Sequence, residues 1–264
     1  MSESTYETVR LEREGAVAVV TLDRPKHLNS LTQQLTEELL DAVTVVVEDD
    51  DVRCVVLRGA GSGFGAGADL GQFEGDGRDE SAIRQLASTL HESLLALCRA
   101  DEPVVAGVDG TAAGAGLSMA LCADVVLVSD DARLQYAYPQ VGLTGDGGST
   151  FFLPRLVGLR RAKEIALMDE PIEPAEAVDL GLATEVVPSA SFDDRLDEVA
   201  GDLASGPTEA FGELKRLLTE SFDRTLEDQL AAETNAIARA TRTEDYSRGH
   251  AAFERDDDPE FVGR

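Results

Sequence analysis

Three glycine-rich loops carry the residues that could do chemistry, and the third of them contains an aspartate. In the segment 141–150, VGLTGDGGST, Asp146 lies between glycines and precedes an apolar stretch, FFLPRLVG, that predicts a short helix. An aspartate at this place can cap the helix by accepting a backbone N–H hydrogen bond. It can instead act as a catalytic carboxylate held at a loop tip. The residues alone leave both interpretations open.

The second loop is built from small residues and leads into a helix. It runs from Asp109 to Gly116, DGTAAGAG, and is followed by LSMALC. Small residues let a backbone approach a ligand closely, and the first amides of a helix have no intrahelical partner. Such amides can donate hydrogen bonds to a developing oxyanion. Close packing of a helix on a strand requires the same small residues, so this alternative also stays open.

The first loop, from Gly59 to Asp69, follows an apolar strand and reads GAGSGFGAGAD. Its segment 61–66 fits the glycine spacing of a dinucleotide-binding turn. That turn joins the first strand of a unit directly to a helix, whereas here a hairpin and a helix come earlier and residues 65–79 are rich in glycine and acids. No GK[ST] follows, which excludes a P-loop. We therefore predict no nicotinamide cofactor.

The elements between the loops predict an α/β domain followed by helices. Apolar and alternating runs predict strands over 7–14, 16–22, 54–59, 103–108 and 123–130. Apolar residues at helical spacing predict helices over 33–48 and 80–99 and from about Gly114, then over 192–204, 207–221, 225–241 and 244–254. We therefore expect an α/β core over residues 1–190 and a helical region over 191–264.

The composition excludes several classes of protein. The chain carries 51 acidic against 23 basic residues, a net charge of −28, which argues against nucleic-acid binding because phosphates require clustered cations. No apolar run approaches the roughly 20 residues of a membrane span, and the first residues, MSESTYETVRLERE, do not resemble a signal peptide. We expect a cytoplasmic protein. We hypothesise a surface adapted to high salt, which would show as a melting temperature that rises with salt.

The three cysteines do not predict a disulfide framework or a metal site. Cys54, Cys98 and Cys122 lie far apart, each in an apolar stretch, and no CxxC occurs. We expect buried, unreactive thiols and no bound metal.

The three loops, in this order and spacing, resemble the crotonase (enoyl-CoA hydratase/isomerase) superfamily. The matching stretches are TLDRPKHLNSLTQQL at 21–35, CVVLRGAGSGFGAGADL at 54–70, PVVAGVDGTAAGAGLSMALCADVVL at 103–127, LQYAYPQVGLTGDGGSTFFLPRLVGLRRAKEIAL at 134–167 and EAVDLGLATEVV at 176–187. They cover nearly the whole chain. The resemblance implies a spiral of ββα turns, a C-terminal helical region and assembly as a homotrimer or hexamer.

The resemblance also implies an acyl-CoA thioester as substrate, with coenzyme A as part of that substrate and no other cofactor. The backbone N–H groups of Ala68 and Ala115 would be the oxyanion donors, although the family usually has glycine at the second position. The CoA groove would contain Lys26, His27, Leu28, Ala66, Asp69 and Leu70. The cations that the family places near its C-terminus are replaced by Asp256 and Asp257, so the phosphates would need other arginines or salt.

Two residues depart from the pattern of the family's hydratases, which carry two catalytic glutamates. Those positions hold Ser118 and Gln140 here, and neither is an acid or base near neutral pH. Asp146 matches the catalytic aspartate of double-bond isomerases similar to the phenylacetate-pathway isomerase. One carboxylate suffices for a 1,3-proton shift, so the resemblance favours an enoyl-CoA isomerase that uses Asp146.

Other activities remain as alternatives. The first is an enoyl-CoA hydratase, and another is an inert acyl-CoA-binding subunit. Aryl-CoA dehalogenases of the family have a nucleophilic aspartate at the position of Asp146 and also require a histidine. His91 lies in a helix after the first loop, where those enzymes place that histidine, which keeps this third alternative open.

Overall fold

The computed structural model describes residues 6–264, and its strands form two sheets. The larger sheet has six strands in the spatial order β1 (Val9–Glu14), β2 (Val17–Leu22), β3 (Cys54–Gly59), β5 (Val104–Val108), β7 (Val125–Ser129) and β9 (Glu185–Val187). The smaller sheet contains β4 (Gly63–Gly65), β6 (Thr111–Ala113) and β8 (Arg133–Gln135). Only β1 and β2 pair antiparallel, and every other neighbouring pair in the described chain is parallel.

Ten α-helices lie in the same described range. They are α1 (Gln33–Val47), α2 (Glu80–Arg99), α3 (Ala115–Leu121), α4 (Ser149–Leu156), α5 (Gly158–Met168), α6 (Pro174–Asp179), α7 (Phe192–Ala204), α8 (Thr208–Glu220), α9 (Leu226–Ala240) and α10 (Glu244–Arg255). From 6 to 264, no helix has both the length and the apolar character needed to cross a bilayer.

One structural turn repeats three times and builds the spiral. A long strand enters the large sheet, a three-residue strand enters the small sheet, and a helix returns the chain: β3–β4–α2, β5–β6–α3 and β7–β8–α4. The first and second glycine-rich loops run from the long strand through the short one, whereas the third lies between β8 and α4. The predicted α/β class is therefore confirmed, and the short strands place the loops side by side.

The large sheet is covered on both faces. On one face α1 and α2 pack together and bury Leu35, Leu39, Leu90 and Leu94. On the other face α7 packs against β2 and β3 through a separate apolar cluster, which includes Phe192. Each fully buried side chain of this size contributes about 1.5–3 kcal/mol to the free energy of unfolding. The first helix beyond residue 190 thus belongs to the layers around the sheet, while the predicted domain boundary there stays a prediction.

The last three helices bury little of their own surface. The buried residues are only Thr208 and Gly212 in α8, Ala236 in α9, and Asp245 and Ala252 in α10. Large apolar side chains on these helices remain in solvent, so the chain by itself leaves their apolar faces uncovered.

Asn29 fixes the entrance to the first loop. It has a φ of 56° and is fully buried. Its Nδ2 donates to the carbonyl oxygens of Ala60 (3.0 Å) and Gly63 (2.6 Å), and its Oδ1 accepts from the Arg24 amide at 2.8 Å. Because the side chain satisfies three backbone groups, it ties the segment before α1 to the loop between β3 and β4.

The cysteines lie largely in the core. Cys54 and Cys122 are buried, whereas Cys98 is only half-buried. Burial raises the pKa of Cys54 to about 12, so this thiol stays protonated near neutral pH.

Candidate active site

The first and second glycine-rich loops touch at their backbones. A Cβ atom placed on Gly67 would lie 3.5 Å from the amide nitrogen of Ala115, and one placed on Gly116 would lie 1.8 Å from the carbonyl oxygen of Gly65. Gly67 also has a φ of 84°, a conformation that other residues rarely adopt. Glycine at these positions allows the end of β4 to meet the first turn of α3.

The amides of Ala68 and Ala115 both lack a hydrogen-bond partner in the part of the chain that the structure describes. Ala115 is the first residue of α3, whose N-cap Gly114 provides no side chain to satisfy it. Ala68 follows Gly67, and its neighbours Gly67 and Asp69, not Ala68 itself, make the hydrogen bonds to Leu31. Within residues 6–264 neither amide nitrogen donates a hydrogen bond. Two adjacent backbone segments thus offer free N–H groups for an oxygen atom of a ligand.

Asp146 contacts a histidine instead of capping a helix. Its Oδ1 lies 2.6 Å from Nε2 of His91 on α2, and the two side chains are 33% and 46% exposed. The N-cap of α4 is Gly148, which has no side-chain cap hydrogen bond. The interpretation of Asp146 as a helix cap is therefore wrong, because α4 begins two residues later than that role requires. A carboxylate accepting so short a bond is well oriented and still open to solvent.

Ser118 and Tyr138 form a buried contact behind Asp146. The Ser118 hydroxyl lies 2.8 Å from the carbonyl oxygen of Asp146 and 3.1 Å from the Tyr138 hydroxyl. Burial raises the pKa of Tyr138, and this effect outweighs the opposing effect of its hydrogen bond with Ser118. The phenol therefore remains neutral. The sequence analysis did not predict a role for Tyr138. The one feature that could have indicated it is the position of this aromatic residue just before the third loop.

The two positions without hydratase glutamates differ in their surroundings. Ser118 is fully buried on α3. Gln140 is exposed in a short 3-10 turn, Tyr138–Val141. No carboxylate stands at either position.

The six residues predicted for CoA binding lie on two segments that are hydrogen-bonded to each other. Lys26, His27 and Leu28 are exposed on the first segment, and the Leu28 carbonyl accepts from the amide of Ala66 at 3.0 Å. On the second segment Leu70 is exposed, whereas Asp69 is engaged by Arg24 at 2.9 Å. The structure thus brings the six residues together, and their contact with CoA stays a prediction.

The C-terminal acids lie in solvent. Asp256 and Asp257 are exposed after α10, and Asp257 forms an ion pair with Arg255 at 3.3 Å. Across residues 6–264, no group of three or more His, Cys, Asp or Glu side chains is arranged to hold a metal ion.

Known proteins that are similar to this chain show its family. The family model described as enoyl-CoA hydratase/isomerase matches residues 12–264. The chain is 36% identical to a Rhodobacter capsulatus protein named "probable enoyl-CoA hydratase", covering 98% of this chain and all of the relative. The chain belongs to the enoyl-CoA hydratase/isomerase family. It is also 33% identical to the 1,2-epoxyphenylacetyl-CoA isomerase of Escherichia coli, covering 95% of this chain and 97% of the relative.

The solved structures of this family share the fold. A crystal structure of an enoyl-CoA hydratase from Bacillus anthracis superposes with a TM-score of 0.91 at 29% identity, covering 98% of this chain and all of that one. The crotonase spiral predicted from the sequence is thus confirmed. Members of the enoyl-CoA hydratase/isomerase family that resemble this chain are named both hydratase and isomerase, so the choice between these reactions depends on the site residues.

We predict that Gly116→Ala destabilises the contact between β4 and α3. The new methyl group would collide with a backbone oxygen, and such overpacking should lower the free energy of unfolding by about 1–3 kcal/mol. Gly201, in α7, has open space around it, so Gly201→Ala should raise the same quantity by about 0.5–1 kcal/mol. Urea unfolding measures both. Equal stability of Gly116→Ala and the wild type would contradict the close contact.

Proposed function

We propose that the protein is an enoyl-CoA double-bond isomerase in which Asp146 moves the proton. The observation that supports this proposal most is the environment of Asp146. Its carboxylate is partly exposed, is hydrogen-bonded to His91, and lies beside the loops whose amides are free. The absence of a carboxylate at Ser118 and Gln140 supports it further, because adding water to an enoyl thioester needs a second acid or base.

The proposed reaction needs no redox partner. The Asp146 carboxylate removes a proton from the α-carbon of a 3-enoyl thioester, and the electron pair of that C–H bond passes into the thioester as a dienolate. The amides of Ala68 and Ala115 donate to the dienolate oxygen, and each such donor contributes about 2.7–4 kcal/mol in the transition state. Asp146 then returns the proton to the γ-carbon, which gives the conjugated 2-enoyl thioester.

His91 is suited to orient the base in this reaction. An N–H at Nε2 donates to one oxygen of Asp146 and leaves the other oxygen available to the substrate. The acyl-CoA is the proposed substrate, with its CoA part along the residues from Lys26 to Leu28 and from Ala66 to Leu70. The family membership supports this substrate class.

We predict that Asp146→Asn removes isomerisation. An amide cannot accept the α-proton, so the rate of conversion of 3-enoyl-CoA should fall about 10²- to 10⁴-fold, as the loss of a general base does. The measurement is the absorbance of the conjugated thioester that forms. Asp197→Asn, an exposed aspartate on α7, is the matched control and should keep the wild-type rate.

Other results of these assays distinguish the isomerase from the alternative functions. If Asp146→Asn isomerises at the wild-type rate, the proton-shuttle assignment is wrong. If the wild type instead consumes 2-enoyl-CoA and loses the conjugated absorbance, it is a hydratase. Binding of acyl-CoA without turnover of either thioester would indicate an inert subunit.

The contact between His91 and Asp146 also favours a second candidate, hydrolytic dehalogenation of an aryl-CoA. There an Asp146 oxygen would displace halide from the ring carbon and form an aryl ester. Water, deprotonated by His91, would then cleave the ester and regenerate the carboxylate. With 4-chlorobenzoyl-CoA, this candidate requires chloride release by the wild type and accumulation of the covalent ester in His91→Gln. The isomerase proposal requires neither.

We further propose that the chain assembles with itself, as a homotrimer or hexamer. On α9, Leu226, Leu230 and Ile237 are 70%, 53% and 72% exposed. At 100° per residue they share an arc of about 40°. Leu214 and Leu218 continue the apolar surface on α8, which packs against α9. A patch of this kind on a folded protein marks an interface.

We predict that the double variant Leu230→Asp, Ile237→Asp lowers the oligomeric state, because two charges would enter the proposed interface. Size-exclusion chromatography with light scattering measures the mass of the assembly. Asn235→Asp adds a charge about 140° around α9 from Leu230 and should leave the mass unchanged. A monomeric wild type would contradict the assembly.

A further inference from the structure

We infer that Ser118 is a positioning residue: it holds the Asp146 loop against the amide end of α3, in the place where hydratases have a glutamate. This inference rests on the proposed function, because it concerns what positions the proposed base. The inference assigns a role to Ser118, for which the family resemblance indicates only that a catalytic glutamate is missing.

The direction of the hydrogen bonds around Ser118 follows from its single proton. Its Oγ lies 2.8 Å from the Asp146 carbonyl, 3.2 Å from the Gly114 carbonyl and 3.1 Å from the Tyr138 hydroxyl. Carbonyl oxygens only accept, and the shortest contact is with Asp146. Ser118 therefore donates to Asp146, and Tyr138 donates to Ser118. This chain of two hydroxyls is buried, where hydrogen bonds are strong and unpaired groups are costly.

The location of Ser118 couples the two halves of the site. It lies one helical turn after Ala115, and its own amide donates to the Gly114 carbonyl at 3.1 Å. Its hydroxyl thus connects the helix that presents the Ala115 amide to the loop that presents the Asp146 carboxylate. Because proton transfer requires the base within hydrogen-bond reach of the α-carbon, a small displacement of this loop costs rate.

The same packing leaves no room for a glutamate. A Cβ atom placed on Gly147 would lie only 2.8 Å from the Ser118 Cβ, so the loop already rests directly on this side chain. Tyr138 is in contact with the hydroxyl as well. A glutamate at 118 would displace the residues that carry Asp146. In this structure, the base at Asp146 and a hydratase-type carboxylate at 118 therefore exclude each other.

The test compares Ser118→Ala with a matched control. Ser93→Ala removes another fully buried hydroxyl, one whose hydrogen bond goes to the Thr89 carbonyl of its own helix. With 3-enoyl-CoA as substrate, Ser118→Ala should lower kcat about 10- to 100-fold, as for a buried group left unsatisfied, and leave KM unchanged. Amide hydrogen exchange over residues 145–149 should accelerate in Ser118→Ala only.

Two further variants test the chain of hydroxyls and the excluded volume. Tyr138→Phe should lower kcat less than Ser118→Ala does, and the double variant should be no slower than Ser118→Ala, because Tyr138 acts through Ser118. Ser118→Glu should lose isomerisation without gaining hydration of 2-enoyl-CoA.

The outcomes that overturn the inference are distinct from failure of the proposed function. Unchanged kcat and exchange in Ser118→Ala, an equal loss in Ser93→Ala, or hydration by Ser118→Glu would each overturn it. A wild type that converts no 3-enoyl thioester would refute the isomerase proposal. The exchange comparison between Ser118→Ala and Ser93→Ala would then still decide whether Ser118 holds the loop.

Discussion

The contact of one backbone with another, between the end of β4 and the first turn of α3, is the constraint on which the site depends. Gly116 meets the carbonyl of Gly65 with no space for a side chain. Because Ala68 lies beyond the end of β4 and Ala115 is the first residue of α3, their amides are left without partners in the described chain. Strand pairing or helix continuation would have satisfied them, and these two amides could then not donate to a ligand.

Asp146 is held from two sides by elements of different spiral turns. Its side chain meets His91 on α2, and its carbonyl meets Ser118 on α3. The backbone contact sets where the loop lies, whereas the side-chain contact sets how the carboxylate is turned. The apolar residues of this loop, Val141 and Leu143, are exposed, so these two hydrogen bonds hold the loop where core packing does not. A glycine-rich loop can adopt the conformation that these contacts require because glycine has access to more backbone conformations than other residues.

The sequence predicts long elements well because apolar periodicity is local. The predicted helices over 80–99 and 192–204 and the strand over 54–59 have the bounds found in the structure. The three-residue strands of the small sheet escape prediction, since three residues are too few to show a period and these strands pair only in the folded spiral. The contacts that support the site are also not local. The resemblance pointed to His91, but its hydrogen bond with Asp146, 55 residues along the chain, required the structure. Asp146 itself could be predicted from the family resemblance, whereas the structure was needed to exclude its alternative role as a helix cap.

The free amides have a consequence for how this chemistry is inherited. Every residue except proline carries a peptide N–H, so other substitutions at Ala68 or Ala115 leave the donor itself intact. What substitutions can destroy is the approach of the two segments, which depends on residues beside the donors, such as Gly67 and Gly116. Selection for the reaction would therefore act on the glycines that allow this approach. In such a site the residues that evolve most slowly need not be the ones that touch the substrate.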